Sequence, residues 1–208
     1  WRAHARATAA HSTLCYQSRS SCDFVEMGAM KKFLQGAPIM HGPQDVPVER
    51  EKRTDGNMLI ASHDGYVRAF DLVHRRALLL SHDGRTLDGE DMLMSSGGHT
   101  PRASSDDYTL HFHLHPAVKA SRLQDAHGVM LVLPNKEAWI FDAYNEVVEL
   151  EESIFLAGND GPRRAQQIIV RARLRQTTRL RWSFTRSDTS ASGAAARRQA
   201  DREPELPL

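Results

Sequence analysis

The chain has 208 residues, 40% of them hydrophobic and 25% charged, with two cysteines. That composition excludes a disulfide-dense miniprotein, a collagen and a wholly disordered chain, and one domain of this length buries roughly 70% of the surface its unfolded chain exposes. Twenty-seven Lys and Arg against 26 Asp and Glu give a formal net charge of +1, so bulk charge names no partner.

The sequence opens at Trp1 with no methionine and no charged-then-apolar leader, which reads as a mature product or a fragment. Helical periodicity is scarce. Short alternating runs are broken by Gly, Pro, Asn and Asp, the pattern of strands joined by turns. Residues 13–17 and 22–25 flank Ser18-Arg19-Ser20 and read as a hairpin. Residues 27–34 are the one candidate for a short helix. Strands follow over 46–53, 58–62 and 66–80. Ser-His-Asp-Gly occurs at 62–65 and again at 81–84, and reads as two turns that both need Asp-Gly.

The clearest strand is Tyr108-Thr-Leu-His-Phe-His-Leu-His115, with Tyr108, Leu110, Phe112 and Leu114 on one face and Thr109, His111, His113 and His115 on the other. Pro116 then limits pairing. Residues 128–133 are almost all apolar, as in a strand covered on both sides, and Pro134-Asn135-Lys136 turns them into 138–143. The series continues over 146–156, 167–174 and 178–185, where Leu180, Trp182 and Phe184 alternate with Arg179, Arg181 and Ser183. From Ser187 onward no apolar pattern remains, and 187–208 reads as a disordered tail. About ten or more strands at roughly ten-residue spacing describe an all-β sandwich or barrel. The apolar runs 77–80 and 129–133 fall far short of the ~20 residues that span a bilayer, so no membrane partner is expected.

Three features could carry chemistry. Histidines two apart on a strand sit roughly 7 Å from each other and can converge on a metal, yet no Glu follows His113 until Glu137. A polar strand face, solvated or packed on a loop, is the plainer reading of His111, His113 and His115. Cys15 and Cys22 lie on opposite arms of the expected hairpin, as a cross-strand disulfide or as two half-buried thiols. Residues 161–187 hold eight arginines and no acid. They could cradle an anionic polymer, or pair across strands with Glu146, Glu149, Glu151 and Glu152.

The most specific signal is Arg6-Ala-Thr-Ala-Ala-His-Ser-Thr-Leu14. It resembles the Arg-x-Thr-x-x-His-Asn-Thr motif of heparinase II/III-like polysaccharide lyases, with Ser12 in place of Asn. His63-Asp64-Gly65-Tyr66 with His74-Arg75-Arg76, then the 111–116 histidine stretch, then Leu150-Glu-Glu-Ser153 with Gln167-Ile168-Ile169-Val170, follow in the order of that family's C-terminal β domain.

The resemblance implies an antiparallel two-sheet β-sandwich of the super-sandwich type, with little helix, over residues 1–186. It also implies an N-terminal (α/α) toroid outside this chain as its partner domain. The parent would cleave an acidic polysaccharide by β-elimination, in the periplasm or at the cell envelope; nucleic acid is not the expected partner. Such chemistry needs a neutralised uronate carboxylate, a base for the C5 proton and an acid for the departing oxygen. The family draws its base and acid candidates from the toroid and from the start of the β domain, and no catalytic residue is assigned to this chain. His11 matches the motif histidine, a zinc-ligand position. Its companion His-x-His-x-Asp and Asp-x-Gly motifs do not occur here, so His11 reads as one ligand of an incomplete site or as a structural histidine. A non-catalytic glycan-binding or structural module, with the arginine-rich final strands (Arg179 and Arg181) and Trp182 as its contact surface, is the alternative.

Overall fold

The computed structural model describes residues 2–25, 28, 37–97, 107–124, 126–156 and 161–188. The helix expected over 27–34, apart from Gly28, and the tail beyond Asp188 lie outside these residues.

The described residues form strands β1 (Leu14–Tyr16), β2 (Asp23–Phe24), β3 (Ile39–His41), β4 (Val48–Lys52), β5 (Gly56–Tyr66), β6 (Leu72–Ser81) and β7 (Thr86–Ser95). They continue with β8 (Asp107–His113), β9 (Lys119–Arg122), β10 (Gly128–Val132), β11 (Ala138–Asp142), β12 (Val148–Phe155), β13 (Arg163–Arg173) and β14 (Arg179–Ser187). Among the described residues, helix is confined to the single turns α1 (Arg2–Ala5) and α2 (Val67–Phe70) and a 3-10 turn at Thr8–Ala10.

The strands build a four-stranded sheet in the order β1-β8-β13-β12, an eight-stranded sheet in the order β4-β5-β6-β7-β14-β11-β10-β9, and a separate β2-β3 ribbon. Their pairings are antiparallel. The two larger sheets share one core, which makes this the two-layer sandwich expected from the family resemblance. Leu14, Tyr108, Leu110, Phe112, Ile168 and Val170 of the small sheet meet Leu72, Leu93, Phe141, Leu180 and Trp182 of the large one. The Phe112 and Trp182 rings lie edge to face, 4.7 Å between centroids.

Alternation along β8 takes the predicted form. Tyr108, Leu110 and Phe112 are buried, while Thr109, His111 and His113 are half-buried on the opposite face. A second, smaller cluster of Met58, Ala77 and Leu79 with Ile60 forms apart from this core.

Several expectations are corrected. Residues 13–17 and 22–25 are not a hairpin: β1 pairs with β8 and β2 with β3, and the isolated bridge at the turn joins Tyr16 to Arg19, short of the second arm. Gln17 and Ser18, at φ 49 and 55, do reverse the chain. Thr8 then captures Ser20 and Ser21 by hydrogen bonds and draws the returning arm away. Cys15 is buried, Cys22 is half-buried, and both are free thiols. The run 66–80 is two elements, because Asp71 takes a left-handed φ of 58 and caps α2 through Asp71 N–H to Val67 O. The first Ser-His-Asp-Gly lies inside β5, with a register shift between His63 and Tyr66; only the second is a turn, with Gly84 at φ 67. Strands β3, β7 and β9 fall outside the runs read from the sequence.

Candidate functional site

The motif segment 6–13 folds as a pedestal. The Arg6 guanidinium stacks 4.2 Å from the Phe24 ring and donates to Ala37 O. Thr8 N–H donates to Ser20 Oγ at 3.1 Å, and Thr8 Oγ1 accepts from Ser21 N–H at 2.9 Å. The 3-10 turn closes with His11 N–H on Thr8 O. Ser12 is held on two sides: its Oγ accepts from His113 N–H at 3.0 Å, and its carbonyl accepts from Arg76 Nη1 at 2.7 Å. Thr13 O accepts from His111 N–H. The His11 imidazole, exposed at the centre of these ties, makes no side-chain hydrogen bond to a described residue. It lies close enough to His113 for its charge to lower the affinity of that ring for a proton.

Behind Arg76 stands a buried polar chain built by strand register. His63 on β5 lies opposite His74 on β6, and Arg76, two residues on, lies opposite Asp91 on β7. Gly65 N–H donates to His63 Nδ1 at 3.2 Å, His63 Nε2 to His74 Nδ1 at 3.1 Å, and His74 Nε2 to Asp91 Oδ1 at 2.7 Å. With Asp91 accepting at one end, every proton along the chain has one consistent place. Arg76 grips the same carboxylate through Nε to Oδ1 at 2.8 Å and Nη2 to Oδ2 at 3.1 Å. Trp182 Nε1–H adds a bond to Oδ2 at 2.9 Å.

Burial alone would raise the Asp91 carboxyl, but the Arg76 guanidinium and the His74 hydrogen bond hold it at about 2. Burial, helped by His74 and Arg76 and opposed by Asp64, pulls the His63 imidazole down to about 4.

The outer face of the small sheet carries the alternating histidines. His111 Nε2 meets Thr109 Oγ1 at 2.8 Å and its Nδ1 meets Gln167 Oε1 at 3.3 Å. His113 Nδ1 meets Ser153 Oγ at 3.0 Å and its Nε2 donates to Ala9 O at 3.0 Å. The two rings stack with an interplanar angle of 8°, and burial lowers both imidazoles. His115 lies beyond the strand, where its Nδ1 accepts from Ala117 N–H. The face is polar, and the motif segment packs on it.

The arginines divide. Arg171 pairs with Glu149 at 3.1 Å and Glu151 at 2.5 Å, as the cross-strand reading expects. Arg179 and Arg181 instead turn to Glu90 of β7, at 3.6 and 3.2 Å, and Arg75 stands 3.9 Å away on its other side. Glu90 and Asp91 escape the sequence reading. The signal that could have found them is Leu87-Asp-Gly-Glu-Asp-Met-Leu93, a strand-length alternation of Leu87, Gly89, Asp91 and Leu93 hidden by acids.

Among the described residues, no group of three or more His, Cys, Asp or Glu side chains is arranged to hold a metal ion. His113, the imidazole near His11, has both ring nitrogens engaged. A metal site on His11, as the family motif leads one to expect, would need donors beyond the described residues.

Residues 1–183 match the heparinase II/III-like C-terminal domain family. Over 161 residues the chain is 29% identical to the FtsZ-localized protein C of Caulobacter vibrioides (strain NA1000 / CB15N), covering 74% of this chain and 27% of that protein. The fold superposes on heparan sulfate lyase HepC from Pedobacter heparinus with a TM-score of 0.66 at 12% identity, covering 92% of this chain and 26% of that one. A heparinase III with methylated lysines gives a TM-score of 0.64 at 10% identity, covering 91% and 25%. The chain thus spans about a quarter of the length of these relatives. At such identities the structural likeness speaks to fold, and the sequence match to lineage: this chain belongs to the heparinase II/III-like family, as its C-terminal domain.

Proposed function

We propose that this chain is the β-sandwich part of a polysaccharide lyase that cleaves acidic polysaccharide by β-elimination, and that its contribution is to present His11 to a site completed by residues outside the chain. One observation carries the reading. Arg6, Thr8 and Ser12 of the motif are spent on holding the segment in place, and the His11 imidazole is left facing outward. His11 would give zinc one neutral nitrogen. His63, His74, His111 and His113 have both ring nitrogens engaged, so none of these four offers a free base or acid, and the base for the C5 proton and the acid for the leaving oxygen are assigned to residues outside this chain.

The alternative, a glycan-binding module working through Arg179 and Arg181, draws no support from their orientation, because both guanidiniums are turned onto Glu90. The test is absorbance in the unsaturated-uronate band with heparan or alginate. The 208-residue chain alone should give no rise. The full-length product of its gene should give one, and His11→Ala should abolish it together with bound zinc. Turnover by the chain alone, or full activity in His11→Ala, would sink the proposal.

A further inference from the structure

We infer that Arg76 is the positioning residue of this site: it fixes where the His11 imidazole points, without touching it. The inference rests on the reading of His11 just given and extends it to the large sheet, from which the motif segment is otherwise remote in sequence. Arg76 uses its guanidinium as a three-way connector. Nε and Nη2 hold Asp91 at 2.8 and 3.1 Å, and Nη1 holds the Ser12 carbonyl at 2.7 Å.

Only a planar fork with five N–H donors reaches both at once. The fork is itself immobilised. Asp91 is wholly buried and takes two further bonds, from His74 and Trp182, and His74 is backed by His63. The guanidinium also lies 5.8 Å from the Trp182 ring. Its one other hydrogen bond among the described residues goes to Ser12, the residue that follows His11. The chain from Gly65 to Ser12 therefore transmits the rigidity of β5, β6 and β7 to a segment whose own secondary structure is a single 3-10 turn. The opposite tie, Ser12 Oγ on His113 N–H, belongs to the small sheet. His11 is thus registered against both layers of the sandwich: Tyr66 of β5 donates to Leu14 O at the end of the motif, and Arg76 supplies the link to the large sheet at Ser12, the residue next to His11.

The experiment uses the isotopically labelled 208-residue chain. In the wild type, Arg76 should show separately resolved Nη protons from hindered rotation, where a solvated arginine shows one averaged signal. Arg76→Lys keeps the charge on Asp91 and loses the fork, and backbone order parameters at residues 11–13 should fall from a rigid ~0.85 to below ~0.6. Ser12→Gly should loosen the same residues less. Arg171→Ala, which removes an ion pair on the other sheet, should leave them unchanged. An averaged Arg76 signal, or undiminished order at 11–13 in a folded Arg76→Lys chain, would overturn the inference. Activity of the full-length product separates the two readings. Loosened residues 11–13 with unaltered turnover would uphold Arg76 as the anchor and overturn His11 as the functional group. Loosened residues with turnover reduced tenfold or more would uphold both.

Discussion

Glu90 and Asp91 are sequence neighbours on β7, both fully buried, and they face opposite sides of the large sheet. Asp91 looks into the sandwich and accepts from His74, Trp182 and two nitrogens of Arg76, all within 3.1 Å. Glu90 looks outward among Arg75, Arg179 and Arg181 at 3.2 to 3.9 Å, and its Oε1 has no hydrogen-bond partner among the described residues. Charge alone would rank Glu90 the better paired, since three guanidiniums surround it. Geometry reverses the ranking. A buried carboxylate is stabilised by donors at hydrogen-bond distance and penalised for an orphaned oxygen. The first arrangement ties β5, β6, β14 and the motif segment together; the second links strands that the sheet already joins.

The largest way to break the comparison is Asp91→Ala. It strands a buried histidine, an arginine and an indole N–H together, and should cost about 3–5 kcal/mol in urea denaturation. A loss below about 1 kcal/mol would mean that the chain of bonds is dispensable. Next comes Gly89→Ala. Gly89 pairs with Trp182, and an added Cβ would come within 2.1 to 2.5 Å of carbons of the indole ring. Displacing that ring breaks its bond to Asp91, at a cost of about 3 kcal/mol, with a change in tryptophan fluorescence as the sign that the ring has moved.

Acid separates the contributions on the inner side. His63 is held at about 4, below its ordinary 6.5. The unfolded chain therefore takes up a proton first, and stability present above pH 6.5 is lost as pH falls toward 4. The half-buried ring makes this worth about 2 kcal/mol after solvent screening. Asp91 is held at about 2, below 3.8. Its contribution is complete above pH 4 and is lost between there and pH 2, again about 2 kcal/mol. Stability measured against pH should fall in two stages, and His63→Asn should shrink the upper one, to which the lowered His111 and His113 also contribute. A single stage centred below pH 4 would place the His63 imidazole in solvent.

These groups also mark where the sequence was legible and where it was not. The alternation of 108–115 and the Arg6-to-Leu14 motif were readable because each obeys a local rule, a period of two or a fixed spacing. Strand β7 obeys the same period, but Asp88, Glu90 and Asp91 occupy positions where a strand usually shows apolar residues. What makes Asp91 and Glu90 admissible is guanidinium from β6 and β14, as much as 91 residues away. The two Ser-His-Asp-Gly stretches make the same point. In the first, His63 is engaged by His74 and Gly65, and the stretch stays in β5. In the second, Asp83 caps its own turn by accepting from Ser81 Oγ–H and Arg85 N–H. Identical tetrapeptides diverge in what their histidines meet: His63 bonds a histidine of the facing strand, whereas His82 bonds the loop carbonyl of Arg53. His11 was nominated by its place in the family motif and Arg76 lay in a second family stretch, His74-Arg75-Arg76, but the bond between the two segments depends on a register that no local pattern encodes.

The smallest expected effect sharpens the comparison most. Glu90→Gln keeps the shape of the side chain and the acceptor for Arg181 Nε, and removes the charge. If burial and charge count set the strength of these clusters, the loss should rival that of Asp91→Ala. The geometry argues otherwise. The three guanidiniums keep 14 to 30% of their side-chain surface exposed, so water can solvate them when the carboxylate is gone. The mutant is also spared the desolvation of an ionised oxygen that has no donor. About 1 kcal/mol is the expected cost, with backbone order at residues 11–13 unchanged, because no bond leads from Glu90 to Ser12. Asp91→Asn in the same assay should loosen those residues even where its cost in stability is modest. If Glu90→Gln loosened them as much, the two faces of β7 would be coupled through the sheet, and the assignment of His11's rigidity to the inner face alone would fail.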